Sequence, residues 1–286
     1  MKLFEFINNL TSYLSIIYEE KEAKSLSNYY CKELLKINNT DFFFKLNEEI
    51  SEKDFELLNI NVGRLLNGEP LQYILGYSYF YGLKFIVSEA VLIPRQESEI
   101  LVDFIIKKYS SINSLKILDI CTGSGCLSVT LKKYLPTAQI FATDISKTAI
   151  EICKKNSELN NVELNIFEND ILSNAELSFN QQFDLIISNP PYVLESEKKF
   201  MHKNVTEFEP EIALYVKDEE AFIFYEKISE IAKMLLKKNA ELYFEINEKF
   251  ASEVIAINEK NGIFNNQILK DFNGKNRFVY GKIKKN

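Results

Sequence analysis

Leu115-Lys116-Ile117-Leu118-Asp119-Ile120-Cys121-Thr122-Gly123-Ser124-Gly125-Cys126-Leu127-Ser128-Val129-Thr130-Leu131 decides how this chain is read. The first six residues are a short, β-rich apolar run, and those from Cys126 onward carry helical spacing. Between them lies a glycine-rich turn. Strand, glycine turn and helix in that order let backbone approach a nucleotide closely, with a helix N-terminus facing it. The chain holds only nine glycines, yet two stand here one residue apart, where a positive φ or a close approach would require them. The segment is not G-x-G-x-x-G and lacks the Lys-Ser/Thr of a phosphate-binding loop. The expected ligand is therefore a nucleoside without phosphates, held by Cys121, Thr122, Gly123, Ser124 and Gly125.

Downstream, Gln139-Ile140-Phe141-Ala142-Thr143-Asp144 ends in an acid 19 residues after Gly125. A carboxylate there can accept both ribose hydroxyls. Asp170 follows the next run, Val162 to Phe167. Successive strand ends thus offer Asp119, Asp144 and Asp170, and a fourth offers Asn189. Ligands of open α/β sheets bind at the carboxyl ends of strands, where strand order reverses. Carboxylates without basic partners favour a cationic cofactor, and the sulfonium of S-adenosylmethionine is one. A helix cap or a turn residue is the plain alternative for each Asp, and for Asp170 taken alone the two readings are even.

The fourth strand end is the most unusual. Phe183-Asp184-Leu185-Ile186-Ile187 reads as a buried strand, and Asn189-Pro190-Pro191-Tyr192 follows it. Two prolines fix φ near −65° and leave carbonyls without matching N–H groups. The residue before each proline is pushed out of the helical region, so the turn is stiff and extended. Such a rim presents one amide, outward carbonyls and an aromatic face, which suits holding a planar –NH₂ group. A proline-terminated strand with an ordinary loop is the plain alternative.

Composition bounds the reading. A chain of 286 residues suggests about two domains and allows a sizeable core. No apolar run approaches the ~20 residues that span a bilayer. The N-terminus, Met1 to Phe6, has acid in its first turns and no small-residue cleavage site, so a signal peptide is not expected. Four cysteines (Cys31, Cys121, Cys126, Cys153) lack metal-ligand spacing, and free thiols in a cytoplasmic protein are the simplest account. No metal is expected. His202 is the single histidine, which excludes multi-histidine metal sites and is read as a surface residue. A net charge of −7 argues against a large nonspecific nucleic-acid footprint. The lysines at 198–199 and 282–285 read as solvated surface. Arg95, one of three arginines, is read as a clamp on an interdomain linker, with a substrate carboxylate as the other partner it could take.

Apolar residues at Leu3, Phe6/Ile7, Leu10, Tyr13/Leu14 and Ile17 predict an amphipathic helix over residues 2 to 20. Further helices are expected near 22–37 and 41–47, and from Ser51, with Asp54 three residues on, to just before Gly68. The runs 77–80 and 83–87, joined at Tyr81-Gly82, predict a hairpin. From Pro94 helix and strand alternate, implying a mostly parallel sheet with helices on both faces. Asn273-Gly274, between runs near 264–271 and 277–283, predicts a closing antiparallel pair. The expected division is a helical domain over 1–75, a hairpin linker over 76–93 and an α/β domain over 94–286.

Taken together, Asp119-x-Cys121-Thr122-Gly123-Ser124-Gly125, Asp144 and Asn189-Pro190-Pro191-Tyr192 resemble the class I S-adenosylmethionine-dependent amino-methyltransferases. Arg64-Leu65-Leu66-Asn67-Gly68-Glu69-Pro70-Leu71-Gln72-Tyr73-Ile74-Leu75-Gly76 and Val91-Leu92-Ile93-Pro94-Arg95-Gln96-Glu97-Ser98-Glu99 narrow this to the release factor glutamine methyltransferases. So do Phe208-Glu209-Pro210, Phe244-Glu245-Ile246, and Asp271-Phe272 with Arg277. The resemblance runs over roughly residues 60 to 282. The chain departs from it at Gln96 (usually Pro), Phe208 (often Tyr) and Asn247 (usually Gly). Ile171 stands where some relatives place a large aromatic beside adenine. The resemblance implies a class I methyltransferase sheet behind a small helical substrate-recognition domain. It implies S-adenosylmethionine bound by residues 121–125, Asp144, Asp170, Ile171 and Asn189. The implied reaction is methylation of the glutamine in a Gly-Gly-Gln loop of class 1 peptide chain release factors, in the cytoplasm. Asn189 and the Pro190 carbonyl would accept the two amide N–H groups, Pro191 would stiffen the turn, and Tyr192 would pack on the flat amide. A glutamine methyltransferase of a ribosomal protein and a nucleic-acid amino-methyltransferase are the alternatives. No membrane or stable nucleic-acid partner is expected.

Overall fold

Packing divides the chain into two units, Met1–Gly76 with His202–Phe208, and Tyr77–Met201 with Glu209–Asn286. This computed structural model describes residues 1–173, 179 and 181–284; Lys285 of the C-terminal lysine cluster lies outside them.

In the first unit, α1 (Leu3–Leu14) lines up Leu3, Phe6, Ile7, Leu10 and Leu14 on one buried face, as the spacing predicts. The helix stops at Leu14 because Ser15 caps it, its N–H and hydroxyl both returning to the Thr11 carbonyl. α2 (Glu20–Leu34), α3 (Asn39–Lys45), α4 (Glu52–Ile60), α5 (Val62–Leu66) and α6 (Leu71–Leu75) follow. Ser51 caps α4 in the expected manner, its hydroxyl accepting from the Asp54 N–H at 3.1 Å. The predicted continuous helix from there to Gly68 is broken at Asn61, which ends α4 and begins α5. Asparagine suits such a half-in position better than a helix interior. Leu14, Tyr30, Leu58 and Leu65 are fully buried together, each side chain worth about 1.5–3 kcal/mol of transfer free energy. The Arg64 guanidinium is paired with the buried Glu69 and closes the turn at Gly68, so these motif residues serve the helical fold. α10 (Lys203–Thr206) packs with this unit, and His202 at its start is exposed.

The second unit is built on a seven-stranded sheet. The hairpin β1 (Tyr77–Phe80) and β2 (Leu83–Ile86) precedes α7 (Gln96–Tyr109). Then come β3 (Lys116–Ile120), α8 (Cys126–Tyr134), β4 (Gln139–Asp144), α9 (Lys147–Leu159), β5 (Asn165–Glu168) and β6 (Phe183–Ser188). Short strands β7 (Val193–Leu194) and β8 (Tyr215–Val216) pair outside the main sheet. α11 (Ile223–Leu235), β9 (Leu236–Glu245), α12 (Ala251–Lys260), β10 (Ile263–Lys270) and β11 (Asn276–Ile283) complete the chain.

The sheet order is β10-β11-β9-β6-β3-β4-β5, with β3, β4, β5, β6 and β9 parallel and β11 antiparallel to both its neighbours. The predicted terminal hairpin is present, turning at Gly274 (φ 77°), but its last strand inserts beside β9 and leaves β10 at the edge. β5 starts three residues later than its apolar run because Val162 belongs to the end of α9. The Val162 N–H reaches the Ser157 carbonyl at 3.0 Å, and the Ser157 hydroxyl returns to the Val162 carbonyl. Strand order reverses between β3 and β6, whose carboxyl ends carry residues 121–125 and 189–192.

The hairpin is more than a connector, for Phe80 and Phe85 are buried with Leu101, Leu127 and Leu185. Asn156 of α9 accepts from the Ile86 N–H (2.6 Å) and donates to the carbonyls of Ile86 (3.0 Å) and Ser124 (2.8 Å). One buried amide thereby ties hairpin, helix and glycine turn together.

Candidate active site

A cavity of about 220 Å³ opens at that reversal point. Residues 121–124, Asp144, Asp170, Ile171, Asn189 and Pro191 all line it. Gly125, Pro190 and Tyr192 are not part of that lining.

The glycine turn is shaped by backbone conformation. Cys121 (φ 63°), Gly123 (φ 54°) and Gly125 (φ 79°) are all left-handed, a region costly for residues with a Cβ. Gly125 has a second reason to be glycine, since an added Cβ would stand 2.5 Å from Cys153 Sγ on α9. The close approach is therefore helix against turn.

Asp119 takes no part in the cavity wall. It is fully buried beneath the turn, where its Oδ2 accepts from Thr122 Oγ1 and Ser128 Oγ, each at 2.7 Å. Burial raises its carboxyl pKa to about 6, against the lowering pull of those two hydroxyls. It organises the turn and is not the first of three ligand acids. Asp144 is the acid that faces the cavity. Its Oδ2 accepts from the Gly123 N–H at 2.8 Å and its Oδ1 from the Ser146 N–H at 2.9 Å, so both oxygens are aimed and keep further lone pairs. Burial raises its pKa as well. Asp170 folds into a turn, Oδ1 accepting from the Leu172 N–H at 2.9 Å, while still facing the cavity. Beside it, Asn169 lines the wall with a buried Oδ1 that has no partner among the described residues.

At the end of β6 the Ser188 hydroxyl donates to the Ile120 carbonyl at 2.6 Å and binds the two loop-bearing strands together. Asn189 is half-buried at the rim, and Pro190 and Pro191 are buried. Among the described residues nothing hydrogen-bonds the Asn189 side-chain amide or the Pro190 carbonyl. Tyr192 points inward. Its ring packs on the core beside β9, and its hydroxyl donates to Glu245 Oε1 at 3.0 Å.

The remainder of the lining was not legible as a site. Ala90, Val91, Leu92, Pro94, Arg95 and Ser98 reach it from the segment after the hairpin and the first turn of α7, and Ile212, Ala213 and Phe224 from much later. No spacing rule marks apolar residues so far apart as neighbours. Arg95 takes the clamp role: its guanidinium meets Glu209 Oε1 at 2.6 Å, and Glu209 Oε2 accepts from the Ile93 N–H. Gln96 occupies the first position of α7 and is exposed, a place where proline is merely a good fit. Asn247 donates to Glu197 Oε2 at 2.9 Å and accepts from the Lys249 N–H, a pair of contacts no glycine could make.

The donors and acceptors suit a nucleoside with a cationic substituent. Two acids and an unpaired amide oxygen are in its lining, and the N-terminus of α8 follows directly on the turn. No Lys-Ser/Thr pair is there for phosphates.

Residues 5–76 match the family model of the PrmC N-terminal domain, and residues 95–209 that of the methyltransferase small domain. A release factor glutamine methyltransferase of Flavobacterium psychrophilum is 42% identical over 93% of this chain and 94% of its own. The chain belongs to the release factor glutamine methyltransferase family. Members from Bacteroides thetaiotaomicron (40% identical, 96% of this chain and 99% of that one) and Streptococcus pneumoniae (34%, 98% of each) match equally fully. Among solved structures, a methyltransferase from Pyrococcus furiosus superposes with a TM-score of 0.51 at 18% identity, covering 78% of this chain and 98% of its own. The T. thermophilus 16S rRNA N2 G1207 methyltransferase, solved with AdoMet and guanosine, also reaches 0.51 at 14% identity, covering 73% and 50%. Both identities are low enough that the likeness is one of fold. The sheet is the class I methyltransferase sheet, and members of the family are S-adenosylmethionine-dependent enzymes. Among the described residues no helix is long and apolar enough to cross a membrane.

Proposed function

We propose that this protein methylates the side-chain amide nitrogen of the glutamine in the Gly-Gly-Gln loop of a peptide chain release factor. The observation that carries the reading is Asn189, whose unengaged amide stands at the rim of the cavity where strand order reverses. Family membership supplies the substrate class.

Bound S-adenosylmethionine supplies an electrophilic methyl group on a sulfonium. The chain's own residues do the rest. Asp144 receives the ribose hydroxyls, and residues 121–125 with α8 lie against the nucleoside. Asp170, Asn169 and the aliphatic Ile171 complete the base end. An amide nitrogen is a poor nucleophile because its lone pair is delocalised into the carbonyl. Asn189 Oδ1 and the Pro190 carbonyl accept its two N–H groups, which holds the nitrogen in place and favours its pyramidal form. No strong base is needed before transfer, because the product sheds its extra proton readily. The reading sets the protein in the cytoplasm, since its substrate belongs to translation.

The helical unit, in this reading, recognises the body of the factor. A fragment of residues 77–286 is expected to bind cofactor and to methylate an intact factor poorly; a full-length rate would dismiss that role. The fragment begins at Tyr77 because Phe80 and Phe85 belong to the core of the sheet unit. The decisive experiment is single-turnover transfer to a Gly-Gly-Gln-containing factor beside equal concentrations of ribosomal protein, ribosomal RNA and DNA. Label on any of those three and none on the factor would sink the reading.

A further inference from the structure

Glu245 is the last residue of β9 and is 2% exposed. β9 runs parallel to β6 with Phe244 paired to Ser188, so Glu245 stands level with Asn189 at the carboxyl edge of the sheet. Its carboxylate has two hydroxyl donors. Tyr192 OH reaches Oε1 at 3.0 Å, and Ser98 Oγ, from the first turn of α7, reaches Oε2 at 2.6 Å. Its own carbonyl accepts from Tyr225 OH at 3.1 Å. The nearest cation, Arg277, gives its Nη2 to Asp271 at 3.2 Å and keeps a buried Nε with no partner among the described residues. Glu245 therefore lacks a direct ion pair, and burial raises its pKa.

A carboxylate buried with no direct ion pair costs stability to place there. What the carboxylate supplies is direction. It fixes a tyrosine that itself does not line the cavity, and that tyrosine ends the stiff turn carrying Asn189 and Pro190. Two prolines make the turn rigid internally but leave its angle to the strand to be set from outside.

We infer that Glu245 is a positioning residue for methyl transfer: through Tyr192 OH on one oxygen and Ser98 Oγ on the other, it sets the Asn189–Tyr192 turn at the angle from which Asn189 Oδ1 and the Pro190 carbonyl meet the substrate nitrogen. The inference rests on the proposed reaction for its reacting atoms. It assigns Tyr192 the work of a tether in place of a stacking face.

The test uses the whole protein and a Gly-Gly-Gln-containing factor. Glu245→Met keeps volume and removes both acceptors. It leaves Tyr192 OH and Ser98 Oγ without their acceptor, so the thermal midpoint should fall modestly, while cofactor affinity stays unchanged and single-turnover transfer falls about 10²-fold, the scale of a reacting group displaced by an ångström. Glu245→Gln, which still accepts from Tyr192, should restore most of the rate. Tyr192→Phe should reproduce the loss, and Tyr192→Phe/Glu245→Met should be no slower than the worse single variant. Amide exchange at Tyr192 and Val193 should quicken in Glu245→Met. A wild-type rate in Glu245→Met or Tyr192→Phe overturns the inference, and so do multiplying losses in the double variant. If Glu245→Met does not fold, Tyr192→Phe and Ser98→Ala, each lacking one hydroxyl, decide by the same rate criterion. If the wild-type protein leaves the factor unmethylated, the proposed function fails by itself. The tether is then judged on exchange alone, and unchanged exchange dismisses it.

Discussion

Two turns at the carboxyl edge of one sheet make this cavity, and they are held in opposite ways. The turn after β3 is closed by its neighbourhood: Asp119 lies beneath it, Thr122 and Ser128 donate to that acid, and the Gly123 N–H meets Asp144 on the adjacent strand. Its shape is a property of backbone, written in left-handed φ values at 121, 123 and 125. The turn after β6 has rigid proline geometry, yet its bearings come from afar, from Ile120 through Ser188 and from Glu245 and Ser98 through Tyr192. A turn whose shape rests on left-handed glycines fails when a Cβ is added. A turn aimed by side chains should keep its fold and lose its chemistry.

The largest effect expected from this contrast is at Gly125. Gly125→Ala combines a left-handed alanine with a Cβ 2.5 Å from Cys153 Sγ, about 2–5 kcal/mol of stability together. Chemical denaturation should show it, with cofactor binding lost in parallel. Cys153→Ala in the same chain should return the steric share and leave the conformational one. A Gly125→Ala protein of wild-type stability would contradict the backbone account of this turn.

Asn189→Ala should do the reverse. Its midpoint of unfolding and its cofactor affinity should stay close to wild type, while single-turnover transfer drops about 10²-fold or more with one placed acceptor gone. Asn189→Asp keeps the acceptor and adds a charge that competes for the sulfonium, so an intermediate rate is expected. Loss of cofactor affinity equal to the loss in rate would show that the two turns are not separable.

Asp144→Ala tests the link between the turns' shared cofactor and the first of them. Losing a charge-assisted acceptor should weaken S-adenosylmethionine binding by roughly 1.5–3 kcal/mol in calorimetry. Unchanged affinity would remove Asp144 from the ribose site.

The smallest effect concerns Asp119 and pH. Burial raises its folded pKa to about 6, above its unfolded value. The folded state then binds the proton more readily, so this residue's stabilising share is full at pH below the unfolded value and disappears as pH rises through about 6. Asp119→Asn still accepts from Thr122 and Ser128 and cannot ionise. Relative to it, the wild-type protein should lose on the order of 2 kcal/mol between pH 4 and 7. Parallel stability profiles for the two proteins would show that Asp119 does not carry this dependence.

What was legible in the residues follows the same division. The glycine pair, the acid at Asp144, the proline turn, the Ser51 cap and the Asn273-Gly274 hairpin are stereochemical demands met within a few residues, and spacing alone exposes them. Errors arose where a partner outside the segment decides: α9's ending draws in Val162 and delays β5, and Asn61 divides a helix that periodicity joins. The hairpin reads as a linker until Phe80 and Phe85 are seen inside the sheet unit's core. Tyr192 reads as a face because an aromatic after two prolines looks exposed; its direction is set by a carboxylate 53 residues away.

The sequence by itself determined the parts: a helical unit followed along the chain by parallel α/β strands, two glycines needing positive φ, a stiff turn presenting one amide, and acids at strand ends. Each is local, because φ/ψ preference, helix spacing and caps act over a few residues. Tertiary structure alone decided which parts meet. It set β3 beside β6 so that their two turns face one cavity, sank Asp119 beneath the floor and left Asp144 in the wall, and brought Ser98 and Glu245 to Tyr192. Those choices depend on pairing between strands and packing of buried faces, whose free energies are sums over residues distant in the chain.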